Sequence, residues 1–117
     1  PAENWEENYI SAYASAHPIE DWAESWSHYL LIMDTLETLR EEGYFDDCIN
    51  EMNITEKLEK WRSLSLSLNQ ITRSLGMQDA YPFTLGKKVS EKIACVSKFI
   101  TWICQDNAME AQYLIDN

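Results

Sequence analysis

Glu20, Glu24 and His28 stand four residues apart in a stretch whose apolar residues recur at helical spacing. Each four-residue step of an α-helix turns about 40° past a full revolution, so the three side chains follow one slowly drifting line. Carboxylate and imidazole are both zinc ligands, and a further acid can fix a zinc-bound histidine through a hydrogen bond. The same spacing also describes an acidic, solvated helix face with a half-buried histidine, and on spacing alone that plainer reading leads. Trp22 and Trp26 flank the line. Their places on the apolar stripe assign them to the core, the alternative being the wall of a cleft. His17, directly before Pro18, reads as a helix-entry residue rather than a ligand. Cys48, Cys95 and Cys104 read as buried small hydrophobes, and nothing pairs either histidine with a thiol for nucleophilic catalysis.

Four helices must position these residues. The first is expected over about 3–15, with Trp5, Tyr9, Ala12 and Tyr13 at helical spacing and acids in the opening turn. His17-Pro18 breaks it, because proline suits the first position of a helix and not its interior. The second helix then spans about 18–42, carries a wide apolar stripe (Ile19, Trp22, Ala23, Trp26, Tyr29, Leu30, Met33, Leu36), and stops at Gly43. Asn53, with Glu56 three residues later, caps a third helix over about 54–75. Its apolar line is Ile54, Leu58, Trp61, Leu64, Leu68, Ile71 and Leu75, and Gly76 ends it. The Ser63–Leu68 alternation is strand-like over six residues, but the helical pattern on both sides overrides it. Met77–Gly86 is a loop. A fourth helix covers about 87–106 and buries Val89, Ile93, Val96, Ile100 and Ile103, and the tail Asn107–Asn117 adds a short helical turn or frays. Strand signals are absent. The expected fold is an all-α bundle in one domain over 1–117, with the second helix central because its stripe is widest.

Composition agrees with this class. The chain has 117 residues, of which 45% are hydrophobic and 12% aromatic, enough for one core. Three glycines and three prolines are too few for the many tight turns of a sandwich or barrel. The net charge is −11, which disfavours nucleic acid and anionic membrane as partners. The acidity is uneven: residues 1–60 hold 15 acids and 3 bases, residues 61–117 hold 5 acids and 6 bases. Three cysteines without paired spacing point to reduced thiols in a cytoplasmic setting. No apolar run approaches the roughly 18 residues that span a bilayer. The start at Pro1 reads as a piece of a longer chain.

Two separated motifs carry a resemblance. The first is Tyr13-Ala14, His17-Pro18, Glu20-Asp21-Trp22-Ala23-Glu24, Trp26 and His28-Tyr29-Leu30, followed by Asp34-Thr35-Leu36. The second is Asn69, Arg73-Ser74-Leu75-Gly76 and then Asp79-Ala80-Tyr81-Pro82-Phe83. In this order they resemble the C-terminal part of a bacterial family of zinc-binding metallopeptidases that carry an N-terminal zinc ribbon. The resemblance covers about residues 9–100. It implies a zincin-type peptide hydrolase, in which an H-E-x-x-H helix supplies two histidine ligands and a general base, and a later E-x-x-A-[D/E] helix supplies a third ligand and a supporting acid. By that resemblance Glu20 is the candidate zinc ligand and Glu24 orients a zinc-bound histidine. His28 and Tyr29, one to two turns on, are candidates for assisting the transition state.

The departures are as informative. His17 and His28 are the only histidines, so the chain has no H-E-x-x-H, and its cysteines form no zinc ribbon. Where the family often has histidine after Leu30, this chain has Leu31. The expectation is therefore a helical subdomain that needs zinc in the intact protein, binds it weakly or not at all by itself, and is not catalytic alone. Its partner would be the missing N-terminal part of the same protein, or a second copy meeting it through exposed apolar surface. The competing expectation is a non-enzymatic helical interaction module.

Overall fold

The computed structural model describes residues 3–116, with Asp47 described by its backbone only. It is all-α. Among the described residues there is no strand, and four α-helices follow one another: α1 (Ala12–Ala16), α2 (Pro18–Glu41), α3 (Ile54–Ser74) and α4 (Lys87–Asp116). Single 3-10 turns occupy Trp5–Glu7 and Asp47–Glu51.

The local signals account for most of these boundaries. Pro18 opens α2, with Glu20 and Asp21 in its first turn, where acids oppose the positive helix end. Asn53 caps α3, its Oδ1 accepting from the Glu56 N–H at 2.9 Å. The helices α2 and α3 end in the same way. Gly43 and Gly76 take positive φ (85° and 75°). After α2 the Gly43 and Tyr44 amides bond back to the Arg40 and Leu39 carbonyls; after α3 the Gly76 and Met77 amides bond back to Arg73 and Thr72. This double closure needs a left-handed residue at its turn, which favours glycine.

Two ends differ from expectation. The single helix read over 3–15 is split. The 3-10 turn ends at Asn8, and Ser11 restarts the chain in an extended conformation, its hydroxyl accepting from the Ala14 N–H. That cap stops the first turn running into α1. At the other end α4 continues ten residues past the expected stop at 106. No glycine or proline follows Gly86, so nothing in the sequence terminates it.

One apolar cluster joins Ile32 and Leu36 of α2, Leu58 and Trp61 of α3, Tyr81 and Leu85 of the following loop, and Val89 and Ile93 of α4, with Ile10 and Ile49 at its edges. α2 packs against both α1 and α4, and α4 in turn packs against α3, so α2 shares the centre with α4. The buried line of α2 is Ser25, His28, Ile32 and Leu36, rotated away from the expected stripe. Ile19, Trp22, Leu30 and Leu31 lie exposed. Two polar residues can take the inward places because each is satisfied there: the Ser25 hydroxyl donates to the Asp21 carbonyl at 2.8 Å, and His28 meets Tyr81. The α3 line bends likewise, burying Leu58, Trp61, Ser65 and Asn69 while Leu68, Ile71 and Leu75 are exposed. All three cysteines are exposed, contrary to their reading as core residues. Cys95 and Cys104 lie on solvent-facing sides of α4, and Cys48 sits in the 3-10 turn, its thiol donating to Asp46.

The molecule is long and thin. Its principal extents are 59 × 39 × 20 Å and its radius of gyration is 17.0 Å, against about 13 Å for a compact chain of this length. No helix among the described residues is long and apolar enough to cross a membrane.

Candidate functional site

The Glu20–Glu24–His28 line begins where α1 leans on α2. Ser11 works twice: its hydroxyl caps α1 at the Ala14 N–H (3.1 Å) and donates to Glu24 Oε2 at 2.7 Å. Ala14, fully buried, seats α1 beside it. Glu24 is thus half-buried and oriented by a neutral donor, which leaves its negative charge uncompensated by any ion pair among the described residues. Glu20, one turn earlier and also half-buried, makes no hydrogen bond or ion pair among them. Its neighbour Asp21 does the structural work of this turn. It pairs with Lys92 of α4 at 2.9 Å, and the same ammonium lies over the Tyr9 ring and reaches the Asn8 carbonyl. Of the two acids of the line, Glu24 is tied to the N-cap of α1 by one hydroxyl, and the Glu20 side chain takes part in no such contact among the described residues.

His28 has a different setting. It is 9% exposed and stands edge-on to the rings of Tyr81 and Phe83, with its Nδ1 2.6 Å from the Tyr81 hydroxyl. The Met77–Gly86 loop that brings Tyr81 there is pinned by α3 at three points. Arg73 forks onto both oxygens of Asp79 at 2.6 and 2.7 Å. Asn69 exchanges two bonds with the Tyr81 backbone, accepting from its N–H and donating to its carbonyl, each at 3.0 Å. Arg62 donates to the Leu85 carbonyl at 3.0 Å and also reaches Ser90 of α4. Trp61 supports the Tyr81 ring from below, edge to face at 5.0 Å.

Burial decides the protonation states. Taken out of water, the Tyr81 phenol is held far up from its ordinary value and stays protonated. Where its O–H donates to His28 Nδ1, which spares a buried hydroxyl from lacking an acceptor, the neutral imidazole carries its proton on Nε2. Burial lowers the His28 pKa, and the Glu24 carboxylate pulls weakly the other way. His28 is a neutral ring with one nitrogen already engaged.

The two motifs thus meet in space. The second one holds a tyrosine against the histidine of the first, across 53 residues of sequence. Tyr29 points elsewhere. It packs on the core beside Met33 and lines a separate concavity with Ile49 and Lys57, away from Glu20 and Glu24. Trp22 is 48% exposed and Trp26 half-buried. They meet Phe99 of α4 edge-on, in an aromatic cluster outside the core and on the side of α2 away from the acids, since two residues along a helix turn about 200°. His17 is exposed, with its ring against Tyr13. The sequence reading missed Ser11 and the Tyr81–His28 contact. The Ser11-x-x-Ala14 spacing was a legible cap; the long-range bond had no local signal.

The donors among the described residues do not complete a zinc site. Among the described residues no group of three or more His, Cys, Asp or Glu side chains could hold a metal ion, whereas a catalytic zinc takes three protein ligands.

The model of the family described as "Putative zinc-binding metallo-peptidase" matches residues 1–99. The chain belongs to this family. In this metallo-peptidase relative the matched span holds both motifs, α1 to α3 and the pinned loop, and ends within α4 at Phe99. Among similar curated proteins are uncharacterized proteins of Mycobacterium bovis and of Mycobacterium tuberculosis, each 36% identical over 113 residues. The match takes in 91% of this chain but spans only about a third of those relatives' length (33%). No solved structure matches.

Proposed function

We propose that this chain is the helical subdomain of a zinc-dependent peptide hydrolase, lending Glu20 as one metal ligand and Glu24 as the acid that orients a metal-bound histidine. The carrying observation is the contrast within one helical turn: Asp21 is consumed by Lys92, while Glu20 is unbonded and Glu24 is held by a hydroxyl that leaves its charge intact. A carboxylate oriented but not neutralised suits a cationic partner. Two histidine ligands and a general base have to come from residues outside these 117, which contain no H-E-x-x-H. The subdomain alone is then without peptidase activity. His28, locked on Tyr81, serves as a positioning residue that anchors the line to the pinned loop, and Tyr29 is assigned no contact with the reacting atoms.

The test belongs in the longer protein. Glu20→Gln is expected to lower bound zinc sharply and Glu24→Gln to weaken it about 10–100-fold, with Glu7→Gln, an acid outside the motif, unchanged. Equal zinc content in Glu20→Gln and Glu7→Gln, measured by elemental analysis, overturns the assignment. A second reading, a helical interaction module, draws on the exposed aromatic wall of Trp22, Phe99 and Trp102.

A further inference from the structure

The second half of α4 leaves the bundle. Its buried residues are Val89, Ile93 and Val96, and every residue from Cys104 to Asp116 is exposed. The helix is about 45 Å long at 1.5 Å per residue. About a third of a turn round from the buried line runs an outer face of Cys95, Phe99, Trp102, Asp106, Met109 and Tyr113, at steps of four, three, four, three and four. All six are exposed, Trp102 by 60%, Tyr113 by 65% and Met109 by 73%. A repeat of this period is the seam of a two-helix coiled coil. Phe99 meets Trp22 and Trp26 of α2 edge-on, while Trp102 and Met109 beyond it lie exposed, and an amphipathic helix draws most of its stability from packing such a face.

The charge along α4 says what covers the seam. Residues 87–98 carry four lysines and one glutamate; residues 99–116 carry three acids and no base. Trp102 sits at the midpoint. A second α4 laid antiparallel about Trp102 sets Lys98 opposite the second copy's Asp106, Lys88 opposite its Asp116, and Cys95 opposite its Met109, with the two Trp102 rings meeting on the axis. A parallel pair would set like charges together. The chain's own acidic half, with 15 acids and 3 bases over residues 1–60, is a poor cover for the acidic end. Antiparallel helices also oppose their dipoles, and a self-complementary patch closes as a two-fold dimer. We propose that α4 pairs antiparallel with α4 of a second copy of this chain about a two-fold axis at Trp102. This is independent of the peptidase reading and would hold if that reading failed.

Sedimentation velocity of the 117-residue chain from about 1 to 100 µM tests it, with far-UV circular dichroism to confirm that each variant keeps its helix content. The expected species is a dimer that weakens with added salt. Trp102→Glu should weaken it by at least about 100-fold, as a central aromatic anchor does. Lys98→Glu and Asp106→Lys should each cost about tenfold, and the two together should recover most of that loss, because the pair is restored with its signs exchanged. Met109→Cys in a Cys48→Ser, Cys104→Ser background should form an intermolecular disulfide to Cys95. A monomer at 100 µM, a dimer indifferent to Trp102→Glu, or a double exchange no better than its single parents each overturns the proposal; the last two assign the association to another surface.

Discussion

The Met77–Gly86 loop and the outboard half of α4 invert the usual association of regularity with firmness. The loop has no regular structure, yet three side chains of α3 hold it, its Tyr81 and Leu85 are buried, and its tyrosine reaches the histidine of α2. The outboard half of α4 is continuous helix and buries no side chain. Helical hydrogen bonds come from local sequence, here a run free of glycine and proline, whereas tertiary stability comes from burial and from polar groups satisfied across elements. The candidate residue His28 of α2 takes its hydrogen-bond partner from the irregular region.

That contrast can be broken most forcefully at Asn69. Asn69→Ala removes both partners of the Tyr81 backbone inside the core, and each orphaned group costs about 1–3 kcal/mol. We expect about 3 kcal/mol of destabilisation in urea unfolding, and a loss below about 0.5 kcal/mol would show that the loop is held by other means. Tyr81→Phe keeps the ring and deletes one bond. It should cost about 1 kcal/mol and leave the His28 ring free to exchange tautomers, visible in imidazole nitrogen NMR shifts.

A smaller effect follows from pH. The folded chain holds His28 below its ordinary value of 6.5, so the unfolded state takes up a proton first as pH falls. Stability is then complete above about pH 7 and declines as pH drops below 6.5. Thermal midpoints from pH 7.5 to 5.5 should fall in the native chain and flatten in His28→Gln. The smallest effect is expected outboard: Tyr113→Ala, at concentrations too low for association, should shift stability by less than about 0.5 kcal/mol. A larger loss would mean that the end of α4 folds back on the bundle.

Local chemistry was legible and long-range pairing was not. Pro18, Gly43, Asn53 and Gly76 announced helix ends, because caps and left-handed turns are decided within a few residues. The apolar stripe of α2 misled, since periodicity finds a helix but not the direction from which neighbours arrive. Trp22 faces outward because α4 meets it edge-on, and Ser25 and His28 face inward because partners satisfy them there. The cysteines were misplaced for the same reason. Of the candidate site, the carboxylates were visible as a motif, and the hydroxyl that orients Glu24 and the phenol that fixes His28 were not, the second lying 53 residues away.

The three pins of α3 also bear on the order in which the molecule forms. They close spans of 6, 12 and 23 residues, all within one stretch of chain. Closing a loop costs an entropy that grows with the logarithm of its length, so the 12-residue closure at Tyr81 is cheaper by about 1.3 kcal/mol than the 53-residue one that brings His28 to it. The receptor for the imidazole can therefore take shape from its own neighbourhood before α2 docks, and the late arrival of His28 then locks a slot that is already waiting.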